Sequence, residues 1–243
     1  MPRFTENDCS FYVSATVVPV RFLVKNECSF YVGRMARVSQ EHLDARRRQI
    51  LDGAARCFAR DGFHGTSMQD VLGEVGLSAG AVYRYFSGKE DLIAAIATEA
   101  VDGVRRAFEG AARDTPVPAP DVLIGRVARS LFGNGLESGR GLEPRPYAGL
   151  IIQVWSETLR SERLAATLAE AFGGLRGAWT ELVGMYREAG VLRADVPDEH
   201  VARALIATAQ GFIAQLAMFG DTGPEVLENG LRGLMSMDTV QAG

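Results

Sequence analysis

The chain is poor in residues that carry metal, redox or nucleophilic chemistry. Of its 243 residues, three are cysteine and three are histidine. Cys9, Cys28 and Cys57 are too few and too scattered for a disulfide framework or a zinc site, which points to a reducing, cytoplasmic setting. His42, His64 and His200 have no partner at metal-ligand spacing, so neither a metal nor a cofactor is expected. Phosphate-binding loops and nucleophile elbows are absent as well, which disfavours an enzyme. The longest apolar run, Phe11 to Val24, is broken by Pro19 and Arg21 and falls short of the ~20 residues a membrane helix needs. Glu6 and Asp8 precede it where a signal peptide would carry basic residues, so no membrane partner is expected.

What is present is ordinary for a soluble fold. Hydrophobic residues make up 47% and charged residues 23% of the chain, enough for a sizeable core and far from a disordered composition. The net charge of −4 argues, taken globally, against a surface coated for nucleic acid.

The first 34 residues differ from the rest. Asn7-Asp8-Cys9-Ser10-Phe11-Tyr12-Val13 recurs nineteen residues later as Asn26-Glu27-Cys28-Ser29-Phe30-Tyr31-Val32. The pattern is β-rich, yet no strands follow for it to join, and two short strands alone are marginal in water. Two readings stand side by side. Residues 1–34 are a disordered extension, or translation starts at Met35 and the repeat is an upstream DNA element read as protein.

Helical periodicity begins near Glu41. Ile50, Leu51, Ala54, Ala55 and Phe58 share one helical face, and Asp61-Gly62 ends the helix. Thr66 with Gln69 has the form of a capping box before a short second helix whose buried side is Val71, Leu72 and Val75. Gly76-Leu77-Ser78 then makes a tight turn, an apolar plug and a cap for a third helix, Ala79 to Phe86. Ser87 to Glu90 reads as a second capping box, opening a fourth helix that runs to about Arg113. Two short helices around a glycine turn make a helix-turn-helix, whose second helix enters the DNA major groove.

The stretch Ile50–Leu92, ILDGAARCFARDGFHGTSMQDVLGEVGLSAGAVYRYFSGKEDL, resembles the N-terminal domain of TetR-family transcriptional regulators. The resemblance rests on the A-x-x-x-F-x-x-x-G pattern, the threonine before helix 2, the G-L-S-x-G turn, Y-x-Y-F and K-E-x-L. Gly73 stands where the family usually has alanine, and Ala79 where many members carry a basic residue. The resemblance implies an all-α protein: a helix-turn-helix DNA-binding domain over residues 35–98 and a helical ligand-sensing and dimerisation domain over 99–243. It implies a homodimeric repressor that leaves a palindromic operator in double-stranded DNA when a small effector binds. A DNA-binding protein without a small-molecule ligand is the alternative.

Within that reading, Arg46, Arg47 and Arg48 supply positive charge to phosphates, since DNA binding draws on counterion release. From Arg34 to Arg60 there are seven arginines (34, 37, 46, 47, 48, 56, 60) against three acids. Thr66 and Ser67 can give hydroxyl and backbone N–H donors to one phosphate, or serve as helix caps alone. Ser78, Ala79 and Gly80 let the recognition helix approach base edges. The resemblance assigns Tyr83 to base or phosphate and Tyr85 to the phosphate backbone. Arg84, the only basic side chain on this helix, is the candidate guanine reader, and Lys89 a candidate phosphate contact.

Pro116, Pro118 and Pro120 mark a break after the fourth helix, and Gly133 to Pro146 reads as a loop. Helical patterns cover about 121–133, 146–159, 161–190, 198–219 and 224–236. Trp155-Ser156-Glu157 followed by Arg160 resembles the C-terminal domains of one TetR subgroup. Ala204, Ala207, Thr208, Gly211, Gln215, Met218, Leu227, Leu231 and Leu234 could pair two subunits in a four-helix interface, or be core of one chain. Trp155, Phe172, Trp179, Met185, Tyr186, Phe212 and Phe219 could line an effector pocket, or be ordinary core. Few charges are expected in that region, which points to a largely apolar effector.

Charge divides unevenly along these parts. Residues 99–243 carry fourteen bases and nineteen acids, whereas 35–98 carry eight of each. The acidity belongs to the C-terminal part and does not veto a DNA-binding head.

Overall fold

The computed structural model describes residues 40–133, 141–192 and 195–236. The heptapeptide repeat, Arg34, Met35, Arg37 and residues 134–140 of the expected Gly133–Pro146 loop lie outside the described residues, and the end of that stretch, from Pro144, is already helical. Among the described residues the chain forms nine helices and no strand. They are α1 (Gln40–Asp61), α2 (Met68–Val75), α3 (Ala79–Tyr83), α4 (Lys89–Ala111), α5 (Pro120–Phe132), α6 (Pro144–Glu157), α7 (Glu162–Glu188), α8 (Asp198–Met218) and α9 (Pro224–Met235). The all-α expectation holds, and the ends of the last five helices fall within two residues of the periodicity reading.

The N-terminal helices form where the chain supplies both an apolar face and a stop. Ile50, Leu51, Ala54, Ala55 and Phe58 of α1 are fully buried, and Val71, Val75, Val82, Phe86 and Leu92 complete that core. Gly62 and Gly76 end α1 and α2 in the left-handed conformation, at φ 79° and 65°. Their N–H groups reach back to Phe58 O and Leu72 O at 3.0 and 3.1 Å, satisfying carbonyls the helix ends leave open.

Both expected capping boxes are built differently. The N-cap of α2 is Ser67, whose hydroxyl accepts from Asp70 N at 3.2 Å while Asp70 Oδ2 accepts from Ser67 N at 2.7 Å. Thr66 is excluded from capping because it is buried; its hydroxyl donates to Gly62 O at 2.8 Å and Cys57 O at 3.2 Å. At α4 the N-cap is Gly88, without a side-chain bond, and Asp91 instead accepts from the amide and hydroxyl of Ser87. These bonds hold the Asp70 and Asp91 carboxyls below their ordinary range.

The expected domain boundary after residue 98 falls inside α4, one continuous helix of 23 residues. Its first half supplies Leu92, Ile93 and Ile96 to the core, and its second half carries Phe108 into the C-terminal helices. There Phe108 packs on Trp179 of α7 with ring centroids 4.4 Å apart. α5 and α9 are tied by charge: Arg232 Nε lies 3.0 Å from Asp121 Oδ2, and Glu228 pairs with both Arg129 and Arg232. Asp121, buried at the start of α5, is the charge that composition alone did not mark.

Candidate nucleic-acid interface and internal cavity

The turn Gly76-Leu77-Ser78 sets α3 against α2 through one cap and one plug. Ser78 Oγ accepts from Ala81 N at 3.4 Å, and Leu77 packs half-buried on the core. α3 buries Val82 and leaves Ser78, Ala79, Gly80, Tyr83 and Arg84 exposed. Tyr83 is 49% exposed, among the exposed large hydrophobic side chains of the described residues. Tyr85 is half-buried against the core, so the two tyrosines do different work. The helix is shorter than its apolar pattern suggests: it ends at Tyr83, with Arg84 as C-cap and Tyr85 N and Phe86 N both reaching back to Val82 O.

The arginines expected to form a positive field are partly spent inside the fold. Arg47 pairs with Glu99 of α4 and stacks 5.4 Å from the Phe86 ring centroid. Arg56 Nε donates to Glu74 at 2.7 Å, and Arg60 bridges Asp61 and Glu74. The Arg56 bond, chiefly, draws the Glu74 carboxyl down. Arg46 bonds Gln49, and Arg48 is exposed.

Thr66 and Lys89 belong to a clasp rather than an open donor surface. The Lys89 ammonium donates to Phe63 O at 2.7 Å and Thr66 O at 2.9 Å, and lies 4.6 Å from the Phe63 ring centroid. Two of its three donors therefore hold the α1–α2 turn. The Thr66 hydroxyl is not available to a phosphate, whereas Ser67, at the exposed start of α2, keeps its helix-terminal position.

Behind this head lies an apolar cavity of about 130 Å³. α4 contributes Ile96, Ala100 and Val104; α5, Val127 and Leu131; α6, Tyr147, Leu150, Ile151, Val154 and Trp155. α7 and α8 close it with Phe172, Trp179, Ile206, Gln210 and Phe212. Trp155, Phe172, Trp179 and Phe212 of the expected pocket set are thus brought together. Met185, Tyr186 and Phe219 are not among the lining residues. Burial pushes the Tyr186 hydroxyl up to about 12, and it donates to Pro118 O at 2.5 Å. Phe219 caps α8 and is 61% exposed. No carboxylate lines the cavity; Gln210 supplies its amide.

α6 joins cavity and head. From the same helix that carries Ile151, Val154 and Trp155 into the cavity, Gln153 Oε1 accepts the Phe63 N–H at 3.0 Å. One turn on, Glu157 Oε2 lies 3.0 Å from His64 Nε2, and Arg160 Nη1 is 3.2 Å from the same nitrogen. Arg163, at the start of α7, pairs with Asp91. Sequence reasoning missed these contacts, although Gln153 is the lone polar residue in Leu150-Ile151-Ile152-Gln153-Val154-Trp155, a signal that was legible.

On the far side, Ala204, Ala207, Gly211, Gln215 and Met218 form one exposed face of α8, with Leu234 exposed on α9. Thr208 is half-buried and bonds Ala204 O at 2.9 Å. Leu227 and Leu231 are buried within the chain's own core. Among the described residues α8 is also the one helix long and apolar enough to cross a membrane by length and composition.

Comparison with known proteins places this arrangement. Residues 50–96 match the model of bacterial regulatory proteins of the tetR family, the segment that spans α2, the turn and α3. Over 188 residues the chain is 33% identical to the HTH-type transcriptional repressor Rv1474c of Mycobacterium tuberculosis, covering 75% of this chain and 88% of that protein. The chain belongs to the TetR family. This TetR-family member is also 31% identical to the HTH-type transcriptional repressor AcnR of Corynebacterium diphtheriae, over 76% of this chain and 88% of that one. Its fold is similar to Salmonella enterica GusR, with TM-score 0.61, 26% identity, and coverage of 82% and 100%. A regulator from Saccharomonospora viridis, solved in complex with choline, shares the fold at TM-score 0.60 and 22% identity, covering 81% of this chain and 97% of that one. This TetR-family protein is a DNA-binding transcriptional regulator, and its relatives are regulators rather than enzymes.

Proposed function

We propose that this TetR-family regulator is a homodimeric cytoplasmic repressor that leaves a palindromic operator when a small, neutral, apolar effector enters the cavity behind its head. The observation that carries the reading is α6, whose one face lines an apolar cavity while Gln153, on another, bonds the α1–α2 turn.

On the DNA side, residues 35–98 act as the head. Tyr83 and Arg84 project from α3 into the major groove, Ser78 to Gly80 bring its backbone close to base edges, and Tyr85 lies at the backbone edge of the site. Ser67 at the start of α2, with Arg46 and Arg48, meets phosphates, while Arg47 and Lys89 chiefly hold the head together.

On the effector side, residues 99–243 sense and dimerise. The lining without carboxylates favours a neutral ligand over a cation, although a fold neighbour was solved with choline. The cavity is near benzene size, well below the ~300 Å³ of common ligand sites, so a larger effector must push α6 or α4 outward to enter. Displacement of α6 pulls on the Gln153–Phe63 bond and shifts the head. Effector and DNA then oppose each other reciprocally. The exposed small-residue face of α8, with Leu234, is read as the seat of a second copy; burial against that copy also accounts for the helix's apolar composition.

Selection of bound sequences from a randomised duplex pool, with the protein's mass measured in solution, tests the reading. A two-fold symmetric sequence bound by a dimer supports it. A monomer, or a selected sequence without two-fold symmetry, contradicts it.

A further inference from the structure

α8 turns one stripe toward the cavity, and that stripe is apolar except at a single position. Ile206, Ala209, Gln210 and Ile213 line the cavity at the i, i+3, i+4, i+7 spacing of one helical face. Helix propensity does not call for glutamine there, since methionine, of nearly the same length, forms helix as well. Gln210 is half-buried and, among the described residues, makes no hydrogen bond. An amide set in an apolar wall without a partner costs free energy, so its partner has to come from whatever fills the cavity.

The rest of the lining leaves that task to Gln210. No charged side chain lines the cavity, and the other polar side-chain atoms there belong to Tyr147, Trp155 and Trp179. Tyr147 is 3% exposed and packs its ring on Phe132, with centroids 5.7 Å apart. Indole nitrogens only donate. Gln210 alone brings an amide, which donates through Nε2 and accepts through Oε1. A hydroxyl answers both atoms, because it gives one hydrogen bond and takes another.

The body of the ligand follows from the walls. Phe108, Phe132, Phe172 and Phe212 present aromatic surface to the space, and aromatic rings favour edge-on or offset contact with another ring. The volume of about 130 Å³ is close to that in which a benzene ring lodges. A charged group would be buried there without a counterion, which excludes carboxylates and ammonium ions from this end of the ligand.

We propose that Gln210 is the residue by which the cavity selects its effector, hydrogen-bonding an uncharged hydroxyl on an otherwise apolar ring compound. The proposal rests on the effector reading of the cavity and names the chemical class it takes. Held by its hydroxyl at α8, the ring lies among the apolar side chains of the other helices.

Calorimetric titration of full-length protein with phenol and with toluene, two rings of equal heavy-atom count, tests this near neutral pH, where phenol is uncharged. The parent is expected to bind both, phenol within about tenfold of toluene. Gln210→Met should weaken phenol by about tenfold or more and leave toluene unchanged or tighter. Gln210→Leu repeats the comparison with a second apolar side chain, and the parent's own preference needs no variant. A parent that binds toluene and rejects phenol overturns the proposal, as does a phenol affinity that survives both substitutions; either result leaves the cavity reading standing. Binding of N-phenyl-1-naphthylamine but of neither small ring does the same. A parent that binds none of the three overturns the proposal and the cavity reading together.

Discussion

The backbone N–H of Phe63, in the turn between α1 and α2, donates to Oε1 of Gln153 on α6 at 3.0 Å. Through this bond a helix that lines the cavity holds the turn preceding the helix-turn-helix. Gln153→Ala removes it without emptying the cavity, because Gln153 is not among the lining residues. The variant is expected to bind the neutral probe N-phenyl-1-naphthylamine as the parent does. Its DNA affinity should respond to that probe severalfold less, read by anisotropy with and without probe. An unchanged response contradicts α6 as the coupling element.

Tyr83→Ala should abolish specific operator binding. The ring is half exposed and supports little of the core, so circular dichroism and sedimentation should stay those of the parent. Retained specific affinity in a gel shift would sink the assignment.

Thr66→Val separates a structural residue from a phosphate ligand. The hydroxyl is buried and serves Gly62 O and Cys57 O, so its loss should lower unfolding free energy by about 1–3 kcal/mol in urea titrations. The folded variant should keep its DNA affinity and salt dependence. A change in salt slope with unchanged stability would point to phosphate contact instead.

Gly73→Ala should stabilise the protein by about 0.5–1 kcal/mol. Gly73 lies inside α2, and an added Cβ would meet nothing within 4 Å. Alanine then recovers helix propensity at no steric cost. Thermal denaturation checks the sign.

Acid should weaken the head before the rest. Asp70, Asp91 and Glu74 all titrate below their ordinary values, the aspartates through serine bonds and Glu74 through Arg56. A depressed carboxyl contributes its stability above the ordinary pKa and loses it as pH falls through the folded-state value. Stability should therefore be level near neutrality and fall below about pH 4. In Asp91→Asn the part of that fall due to Asp91 should disappear, measured by urea midpoints across pH.

Much of this fold was legible from periodicity and caps. Ile50 to Phe58 and the Gly76-Leu77-Ser78 turn announce their helices through local spacing, and the five C-terminal helices follow from apolar repeats between proline and glycine stops. Choices between adjacent residues were not legible. Thr66 and Ser67 both suit an N-cap, and only burial against Cys57 O and Gly62 O decides that Thr66 turns inward. The cavity was half legible for a similar reason. Trp155 and Met185 look alike as apolar residues on amphipathic helices, and which way each faces is settled by packing between helices far apart in sequence. The arginines of α1 show the same limit: their number is visible, while Glu99 and Glu74, which pair with Arg47, Arg56 and Arg60, lie 14 to 52 residues away, only Asp61 being a sequence neighbour of Arg60.

The central claim is that α3 reads a two-fold symmetric DNA sequence and that the cavity controls it. Its most direct measurement is the affinity of the full-length protein for its pool-selected duplex, with and without N-phenyl-1-naphthylamine, for the parent and for a cavity-filling Ile151→Trp variant. The account predicts that the probe weakens parent binding at least tenfold and leaves Ile151→Trp unmoved. Equal affinity with and without probe, in a parent shown by fluorescence to bind it, would contradict the account.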